Sequence, residues 1–266
     1  MPAERLPDLT GITVMVTRPL HRSRHLCGLI ESAGGKTILF PVIDIAPPDD
    51  PLGVSAVVDR LDQFDIAIFI SANAVGYGVD LIKQRRGALP EGIRIAAIGK
   101  STAGELEQRW RYPDICPEHG FDSESLLAVP EMHAVEDKRI VIFRGAGGRE
   151  LLAATLRERG AKVEYADVYC RKQPAGDLLP LLRDKSHGKI DVIVVTSNEG
   201  LNNLLEMAGV EGRNLLLRMP LALLSHRTAA LAGETGFTAP LLVADEAGDE
   251  ALVDVIGRWW ATRHVP

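Results

Sequence analysis

Two apolar runs of nearly the same pattern stand out in this sequence. Asp191–Asn198 opens with an acid, continues through four apolar residues and breaks into a polar turn centred on Ser197. Asp65–Asn73 repeats this pattern and turns at Ser71. A short β-branched run ended by turn residues is typical of a buried strand in a parallel sheet. Serine before a helix is a preferred N-cap, so each run predicts a strand, a turn and then a helix.

The two runs lie 126 positions apart, and the same offset relates other positions along the chain. The related pairs are Arg18 and Arg144, Gly34 and Gly160, Ser71 and Ser197, and Thr102 and Thr228. One coincidence would mean little, but a single register from the first strand to the last helix indicates an internal duplication. A period this long predicts two paired domains and not a solenoid.

The rest of the chain alternates between short apolar runs and helical patterns. Further strands or extended segments are predicted at 13–16, 36–45, 94–98, 114–116, 139–143, 162–171, 220–224 and 241–244. Helices are predicted at about 23–33, 53–61, 74–85, 101–109, 150–159, 199–207 and 249–260, with shorter ones after 123, after 174 and after 228. This alternation predicts doubly wound, right-handed βαβ units with parallel sheets, an α/β fold.

Polar turns follow many of the predicted strands. They lie at 17–18, 71–73, 99–102, 144–149, 196–198 and 225–228. In open parallel sheets, ligands bind beyond the carboxyl ends of the strands. We therefore expect a site in a cleft between two similar domains, lined by helix N-termini and hydroxyl groups, but the pattern does not name the ligand.

Composition excludes several classes of protein. With 266 residues and a formal net charge of −6, the chain lacks the basic character of a general nucleic-acid binder. Its three cysteines form no Cys-x-x-Cys pair, which favours a reducing compartment and gives no disulfide framework. No run approaches the roughly 20 apolar residues of a membrane span, and no signal peptide is evident. We expect a cytoplasmic protein that is not bound to a membrane.

Six short segments of the chain form a set that is specific when it is taken in order. They are Val16-Thr17-Arg18-Pro19, Phe40-Pro41-Val42-Ile43, Ala97-Ile98-Gly99-Lys100-Ser101-Thr102-Ala103, Arg144-Gly145-Ala146-Gly147-Gly148-Arg149-Glu150-Leu151, Tyr169-Cys170-Arg171 and Val195-Thr196-Ser197. This ordered set resembles the uroporphyrinogen-III synthase family in its bacterial form. The resemblance implies two flavodoxin-like domains joined by a two-stranded linker. One domain would comprise residues 1–39 and 172–266, the other residues 46–166, and the linker strands residues 40–45 and 167–171.

The resemblance also implies a reaction. Hydroxymethylbilane, a linear tetrapyrrole with eight carboxylates, would lose water and close to uroporphyrinogen III with inversion of the last ring through a spiro intermediate. No cofactor or metal is implied. Because closure without inversion is spontaneous, the enzyme's task would be conformational control of a flexible chain. The implied partners are this small-molecule substrate and, transiently, the upstream enzyme that forms the bilane, for a protein expected to be a monomer.

Tyr169 matches the family's linker tyrosine and is the candidate general acid for departure of the hydroxyl group. Thr102 and Thr228 match family hydroxyl positions that would bind carboxylates or the leaving oxygen. The expected substrate-binding residues are Thr17, Arg18, Ser71, Asn73, Lys100, Ser101, Arg144, Gly145, Arg149, Thr196, Ser197, Asn198, Ser225 and Arg227. Helix N-termini would let an acidic protein hold a polyanion. Arg227 stands where some family members have a second hydroxyl residue.

Simpler interpretations remain open for these residues. Tyr169 could be a packing tyrosine, and the hydroxyl residues could be helix caps. The glycine-rich turn after Arg144 resembles a dinucleotide loop, but Glu150 occupies its third glycine position and would repel a pyrophosphate. His21 and His25 are spaced for a metal, without an evident third ligand. The main alternative function is a cytosolic two-domain module that binds a small anion without catalysis.

Overall fold

The computed structural model describes residues 6–148, 150–183 and 189–263. It divides into two compact units, of which the first comprises Met1–Asp44 and Lys172–Pro266 and the second Ile45–Arg171. No helix within the described ranges is both long and apolar enough to cross a membrane.

The described chain alternates between strands and helices, as the sequence predicts. The strands are β1 (Thr13–Val16), β2 (Lys36–Leu39), β3 (Asp44–Ala46), β4 (Ile66–Phe69), β5 (Arg94–Ala97), β6 (Arg139–Gly145), β7 (Lys162–Lys172), β8 (Val192–Val195), β9 (Leu221–Leu223) and β10 (Leu241–Val243). The helices are α1 (Leu20–Ser32), α2 (Pro51–Asp59), α3 (Ala72–Arg86), α4 (Lys100–Arg109), α5 (Ser123–Leu127), α6 (Leu151–Glu158), α7 (Leu179–Arg183), α8 (Asn198–Met207), α9 (Gly209–Leu216), α10 (His226–Glu234) and α11 (Asp249–Ala261). Single 3₁₀ turns lie at Leu61–Gln63 and Pro130–Met132.

The first unit contains a five-stranded sheet in the order β10-β9-β8-β1-β2. All four of its strand pairs are parallel. Numbered along this unit alone, the order is 2-1-3-4-5, which is that of flavodoxin. Alternate residues of each strand face opposite sides: Met15 packs in one core with α8, and Val14 packs in another with α1 and α11. Helices therefore cover both faces of the sheet, which explains why β8, β9 and β10 are apolar throughout.

The second unit contains a sheet in the order β3-β7-β6-β4-β5. The pairs β4–β5, β4–β6 and β6–β7 are parallel. Phe69 packs on one face with α2, α3 and α4, where its ring stacks on that of Phe143 at 4.6 Å between centroids. Ile68 packs on the other face with α5 and α6. The predicted α/β fold with parallel sheets is thus confirmed in both units.

Three sequence predictions are wrong in detail. The extended segment 36–45 is two strands, β2 and β3, separated by residues around Pro41, which has no N–H for a ladder. The strand predicted at 114–116 is a single bridge between Ala96 and Ile115, because Pro113 and Pro117 limit the segment that can pair. Helix α9 is not predicted at all. Its glycines and its 87% exposed Val210 hide the helical pattern.

Candidate functional site

Polar turns follow the carboxyl ends of the central strands in both units. In the first sheet, Thr17, Thr196 and Ser225 come shortly after β1, β8 and β9. In the second sheet, Ser71 and Gly99 follow β4 and β5. Because all these strands run parallel, the turns of each unit lie at one edge of its sheet, which we call the carboxyl edge of that unit.

A hydroxyl network joins two helix N-termini at the carboxyl edge of the first unit. Ser225 caps α10 by accepting a hydrogen bond from the Thr228 amide at 3.2 Å. Its Oγ also lies 3.0 Å from Thr228 Oγ1, which in turn donates to Asn198 Oδ1 at 2.9 Å. Thr228 is only 2% exposed. The Thr228 hydroxyl is therefore fully engaged in tying α10 to the first residue of α8.

The neighbouring cap and strand end are also internally bonded. Ser197 caps α8 by accepting from the Gly200 amide at 3.0 Å. The Thr17 hydroxyl donates to the Val194 carbonyl at 2.7 Å and is buried. These bonds hold the ends of β1 and β8 together. Thr196 lies half-buried between them.

Arg18 does not stand free at this edge. Its guanidinium pairs with Asp249, in the first turn of α11, and both side chains are largely buried. Asp249 also lies 3.0 Å from His25 Nδ1. By contrast, Arg227 is exposed and forms no hydrogen bond or ion pair within the described part of the chain. Of the two arginines of the first unit that are expected to meet a ligand, only Arg227 has no ion pair with a described residue.

The carboxyl edge of the second unit is built around Tyr169. The Tyr169 ring is 2% exposed and lies against Gly145 and beside Tyr77, 5.7 Å away between ring centroids. Its hydroxyl is 3.4 Å from Ser71 Oγ, which caps α3 by accepting from the Ala74 amide. The structure therefore brings together Tyr169, Ser71 and Gly145, as expected. Asn73 lies half-buried in the first turn of the same helix α3.

The N-terminus of α4 differs from that of α10, although the 126-residue offset relates them. The residue before α4 is Gly99, which offers no side-chain cap, whereas Ser225 stands at the related position. A Cβ on Gly99 would lie 2.8 Å from the Phe121 backbone, so no larger residue fits. The three polar residues that open α4 are Lys100 and Ser101, both exposed, and Thr102, which is 4% exposed.

The hydroxyl groups of Thr102 and Thr228 therefore differ in their hydrogen bonding. The Thr102 hydroxyl forms no hydrogen bond with another described residue, whereas the Thr228 hydroxyl has two partners. The α4 terminus thus presents uncapped amides together with an uncommitted, largely buried hydroxyl. This combination can accept an anion, because helix N–H groups and the helix dipole favour negative charge.

Arg144 lies at the centre of a charged cluster in the second unit and is buried. It donates to Asp167 Oδ1 at 2.8 Å and to Glu150 Oε1 at 3.0 Å, and its guanidinium stacks on the Tyr165 ring at 3.4 Å. The Tyr165 hydroxyl donates to the second oxygen of Glu150. The charge of Arg144, like that of Arg18, is thus neutralised by carboxylates of its own unit. Arg149 lies outside the described residues.

The pKa values in this cluster are shifted by its hydrogen bonds. The Tyr165 hydroxyl, and then Arg144, lower the pKa of Glu150. Burial, and then the bond to Glu150, raises the pKa of Tyr165. Burial alone would lower the pKa of Arg144, but the hydrogen bonds that it donates to Asp167 and Glu150 outweigh burial and raise that pKa. All three shifts favour the paired state that is observed.

Several residues that shape these edges are not found by sequence reasoning. Asp249 pairs with Arg18, and Asp167 and Tyr165 contact Arg144. The Phe121 backbone leaves room only for glycine at position 99. Partners such as Arg18 and Asp249 are far apart in sequence, so no local pattern links them. The one available signal is the acid at the start of the last helix, which is common at any helix N-terminus.

The structure offers no evident metal site in its described ranges. No group of three or more His, Cys, Asp or Glu side chains there is arranged to hold a metal ion. His25, one of the spaced pair, faces Asp249 and Glu250 at 3.0 and 3.7 Å. In the glycine-rich turn, Gly147 and Gly148 adopt positive φ values of 77° and 113°.

Comparisons with known proteins agree on one family. The sequence model of the family described as uroporphyrinogen-III synthase HemD matches residues 25–254. The uroporphyrinogen-III synthase of Escherichia coli K12 is 30% identical over 91% of this chain and 98% of its own length. That of Salmonella typhimurium is 31% identical over 91% and 98%.

Solved structures agree at the level of the fold. A mutant uroporphyrinogen III synthase from Thermus thermophilus matches with a TM-score of 0.64 at 20% identity, covering 95% of this chain and all of that one. The Helicobacter pylori uroporphyrinogen-III synthetase matches with a TM-score of 0.61 at 17% identity, covering 93% and 99%. With parallel sheets in the order described and a family match that reaches into both units, the chain belongs to the uroporphyrinogen-III synthase family.

Proposed function

We propose that this chain cyclises hydroxymethylbilane to uroporphyrinogen III, with inversion of the last ring and loss of water. The observation that carries the proposal is the family match over residues 25–254, which takes in polar turns of both units, although not the one at Thr17 and Arg18. The Escherichia coli and Salmonella typhimurium relatives named above align with this chain over 98% of their own length.

In the proposed reaction the hydroxyl group of the substrate takes up a proton and leaves as water. The carbocation equivalent that remains is attacked by the substituted carbon of the last pyrrole, and the spiro intermediate then reopens and closes with that ring inverted. On closure the last pyrrole loses the proton of its unsubstituted α-carbon, which balances the proton taken up by the leaving hydroxyl group, and all carbon–carbon and carbon–oxygen bond changes take place within the substrate. The protein's contribution is to hold the chain in the conformation where the hindered carbon attacks.

Substrate binding is proposed for the polar residues of both carboxyl edges. The strongest support comes from α4, where uncapped amides, the Thr102 hydroxyl, Ser101 and the Lys100 ammonium occur together. Such donors explain how a protein of net charge −6 binds an octa-anion. Asn73, Ser71, Ser197, Asn198, Ser225, Thr196, Arg227 and Arg149 are proposed to add further contacts.

Tyr169 is proposed as the donor of the proton to the leaving oxygen. Its hydroxyl lies at the carboxyl edge beside Ser71 Oγ, which supports that role. The burial of its ring supports a packing role as well, and a variant that keeps the ring but lacks the hydroxyl separates the two.

Five residues are proposed to contribute by holding the carboxyl edges of the two units in shape, namely Thr228, Thr17, Arg18, Arg144 and Gly145. The polar groups of the first four are already bonded to partners inside their units. They therefore bind substrate only where a substrate carboxylate replaces an internal partner. Thr228 is proposed to contact the substrate in this way, with Asn198 as the partner exchanged.

The internal duplication is proposed on the basis of the sheet orders. The 126-residue offset relates β6, β7 and β4 to β1, β2 and β8, and these triplets lie in the same order in their sheets. The bridge at Ile115 is related in the same way to the start of β10. For the domains, we propose residues 1–39 with 172–266 and residues 46–166, with linkers at 40–45 and 167–171.

The same proposal includes a monomeric, cytoplasmic enzyme that meets the bilane-forming enzyme transiently. The chemistry of the substrate supports such a contact, because a bilane released into water closes spontaneously to the wrong isomer.

The decisive experiment supplies the purified protein with freshly generated hydroxymethylbilane and separates the oxidised products by isomer. A type III product formed faster than spontaneous closure supports the proposal. Type I product alone at the spontaneous rate, with or without tight binding of the bilane, contradicts it. In the case of tight binding, that result would instead support the non-catalytic binding module.

A further inference from the structure

A cavity lies in the first unit at the edge of its sheet opposite to the carboxyl edge. It has a volume of about 820 Å³ and is lined by residues that precede three strands: Asp191 before β8, Pro220 before β9 and Pro240 before β10. We call it the amino-edge cavity. Its volume falls within the range of about 300–1,000 Å³ typical of small-molecule sites. Nothing in the proposed cyclisation uses it.

Positive charge is concentrated around this cavity. Among the described residues that line it are four cations, namely Arg183, Lys189, Arg218 and Arg263, and one carboxylate, that of Asp191. This local excess contrasts with the net charge of −6 for the chain. Because the charge of a whole protein does not decide the potential inside a cleft, the cavity attracts anions.

The cations are not all neutralised by neighbours. Arg183 pairs with Glu211 at 2.7 Å, and Arg263 lies over the Trp259 ring at 4.8 Å. Lys189 and Arg218 are exposed and form no ion pair or hydrogen bond with any residue of the described ranges. The Asp191 carboxylate accepts a hydrogen bond from the Thr13 amide at 2.9 Å and is thus committed to the sheet. No described residue therefore neutralises the charges of Lys189 and Arg218.

Most of the other described residues that line the cavity are apolar. Leu181 and Leu182 come from α7, Leu215 from α9, and Met219 and Pro220 from the segment that leads into β9. Leu215 is 42% exposed, so its side chain is accessible to a ligand. A ligand that fits must combine an apolar body with acidic groups.

We propose that the amino-edge cavity binds a small amphipathic anion, namely an aromatic or macrocyclic body that bears carboxylate or comparable acidic groups. The body lies on the leucines and Met219, and the acids pair with Lys189 and Arg218. The site is separate from the carboxyl edge of the same sheet. Its existence does not depend on the proposed cyclisation, and failure of either proposal leaves the other intact.

The test uses 8-anilinonaphthalene-1-sulfonate, an aromatic anion whose fluorescence rises in apolar sites. The full chain is expected to bind it saturably. The K189E/R218E variant is expected to bind it at least about tenfold more weakly. The control K36E/R24E changes the net charge equally at two exposed positions of the same unit that do not line the cavity, and it should leave the dissociation constant within about twofold.

A neutral ligand and an apolar variant complete the test. N-phenyl-1-naphthylamine, which lacks the sulfonate, should bind the wild type and K189E/R218E equally. Leu215→Gln should weaken binding of the sulfonate several-fold, whereas Val210→Gln, an exposed position on the same helix α9 outside the cavity, should not. Circular dichroism and thermal melts establish that each variant is folded before binding is compared.

A second probe, the porphyrin octacarboxylate uroporphyrin, distinguishes between two classes of natural ligand, a carboxylated tetrapyrrole and a smaller aromatic acid. If K189E/R218E weakens the binding of both probes, the ligand is a carboxylated tetrapyrrole. If it weakens only the naphthalene sulfonate, the ligand is a smaller aromatic acid. Equal affinities of the wild type and K189E/R218E for both probes, or an equal loss in K36E/R24E, would overturn the proposal.

Discussion

The ring of Tyr169 lies so close to Gly145 that no side chain fits between them. A Cβ at position 145 would be 2.5 Å from Tyr169 Cε2 and 2.9 Å from its hydroxyl oxygen. The two residues are also partners in the β6–β7 ladder, just after a register shift between Arg144 and Gly145. The ladder and the missing side chain together determine where the Tyr169 hydroxyl stands.

Gly145→Ala is therefore expected to displace Tyr169. Overpacking of this kind costs about 1–3 kcal/mol of unfolding free energy, measurable by urea denaturation. Gly104→Ala is the matched control, because a Cβ there meets nothing within 4 Å on helix α4 and should be neutral or stabilising by up to about 1 kcal/mol. An unchanged stability of Gly145→Ala would contradict the contact.

Tyr169→Phe tests the proposed proton donor. The variant keeps the buried ring, so thermal stability should change little, whereas loss of the donor should lower kcat by about 10²-fold or more with KM nearly unchanged. Tyr77→Phe makes the same chemical change in the adjacent ring and should retain normal kcat. Near-normal turnover of Tyr169→Phe would leave the residue with a packing role only.

Thr102 and Thr228 should respond differently to valine. Thr228→Val removes a hydroxyl with two partners and should lower the unfolding free energy by about 1–2 kcal/mol. Thr102→Val removes a hydroxyl without a partner among the described residues, so stability should be unchanged or higher. Its kcat/KM should nevertheless fall by about tenfold or more, as expected for one lost bond to a charged group. Equal stability losses in both variants would contradict the difference between α4 and α10.

Glu150→Gln should reduce the loss of unfolding free energy that the protein shows as the pH falls. Because the folded-state pKa of Glu150 is lowered by Tyr165 and Arg144, its contribution is fully present above about pH 4.3, the ordinary value for glutamate. The contribution is lost as the pH falls through the lowered pKa. Wild type should therefore lose more unfolding free energy than Glu150→Gln between about pH 5 and pH 3, in urea titrations at fixed ionic strength.

Glu107→Gln provides the control for that comparison. Glu107 is exposed on α4 and has no hydrogen bond or ion pair within the described chain. Its substitution should leave the slope of stability against pH as it is in the wild type. Parallel curves for wild type and Glu150→Gln would show that the carboxylate contributes nothing through Tyr165 and Arg144.

Much of the architecture could be predicted from the sequence because its signals are local. The apolar run before Ser71 is a buried strand and Ser71 caps α3, and the same holds for the run before Ser197. Where local signals are weak or conflict, prediction fails. Helix α9 begins at a glycine and exposes Val210, so its sequence resembles a loop.

In the candidate site, too, local sequence signals identify some features and leave others unpredicted. The family resemblance identifies Thr102, Thr228 and Tyr169 as candidates, but it does not say which of them has a polar group without an internal partner. Arg18 and Arg144 look like anion-binding residues in the sequence, yet each is neutralised by carboxylates of its own unit. Those carboxylates could not be assigned in advance, because Asp249 is far from Arg18 along the chain.

The alternation of strands and helices, the parallel sheets, the capped turns at the strand ends and the family can all be read from the chain, since each depends on periodicity or on short ordered motifs. The three-dimensional fold is needed to see that the Thr228 hydroxyl has internal partners while that of Thr102 has none among the described residues, that two expected arginines are already paired, and that cations meet a largely apolar wall at the amino edge. Hydrogen bonding, charge pairing and cavity shape depend on residues that are distant along the chain, because folding alone brings these residues together.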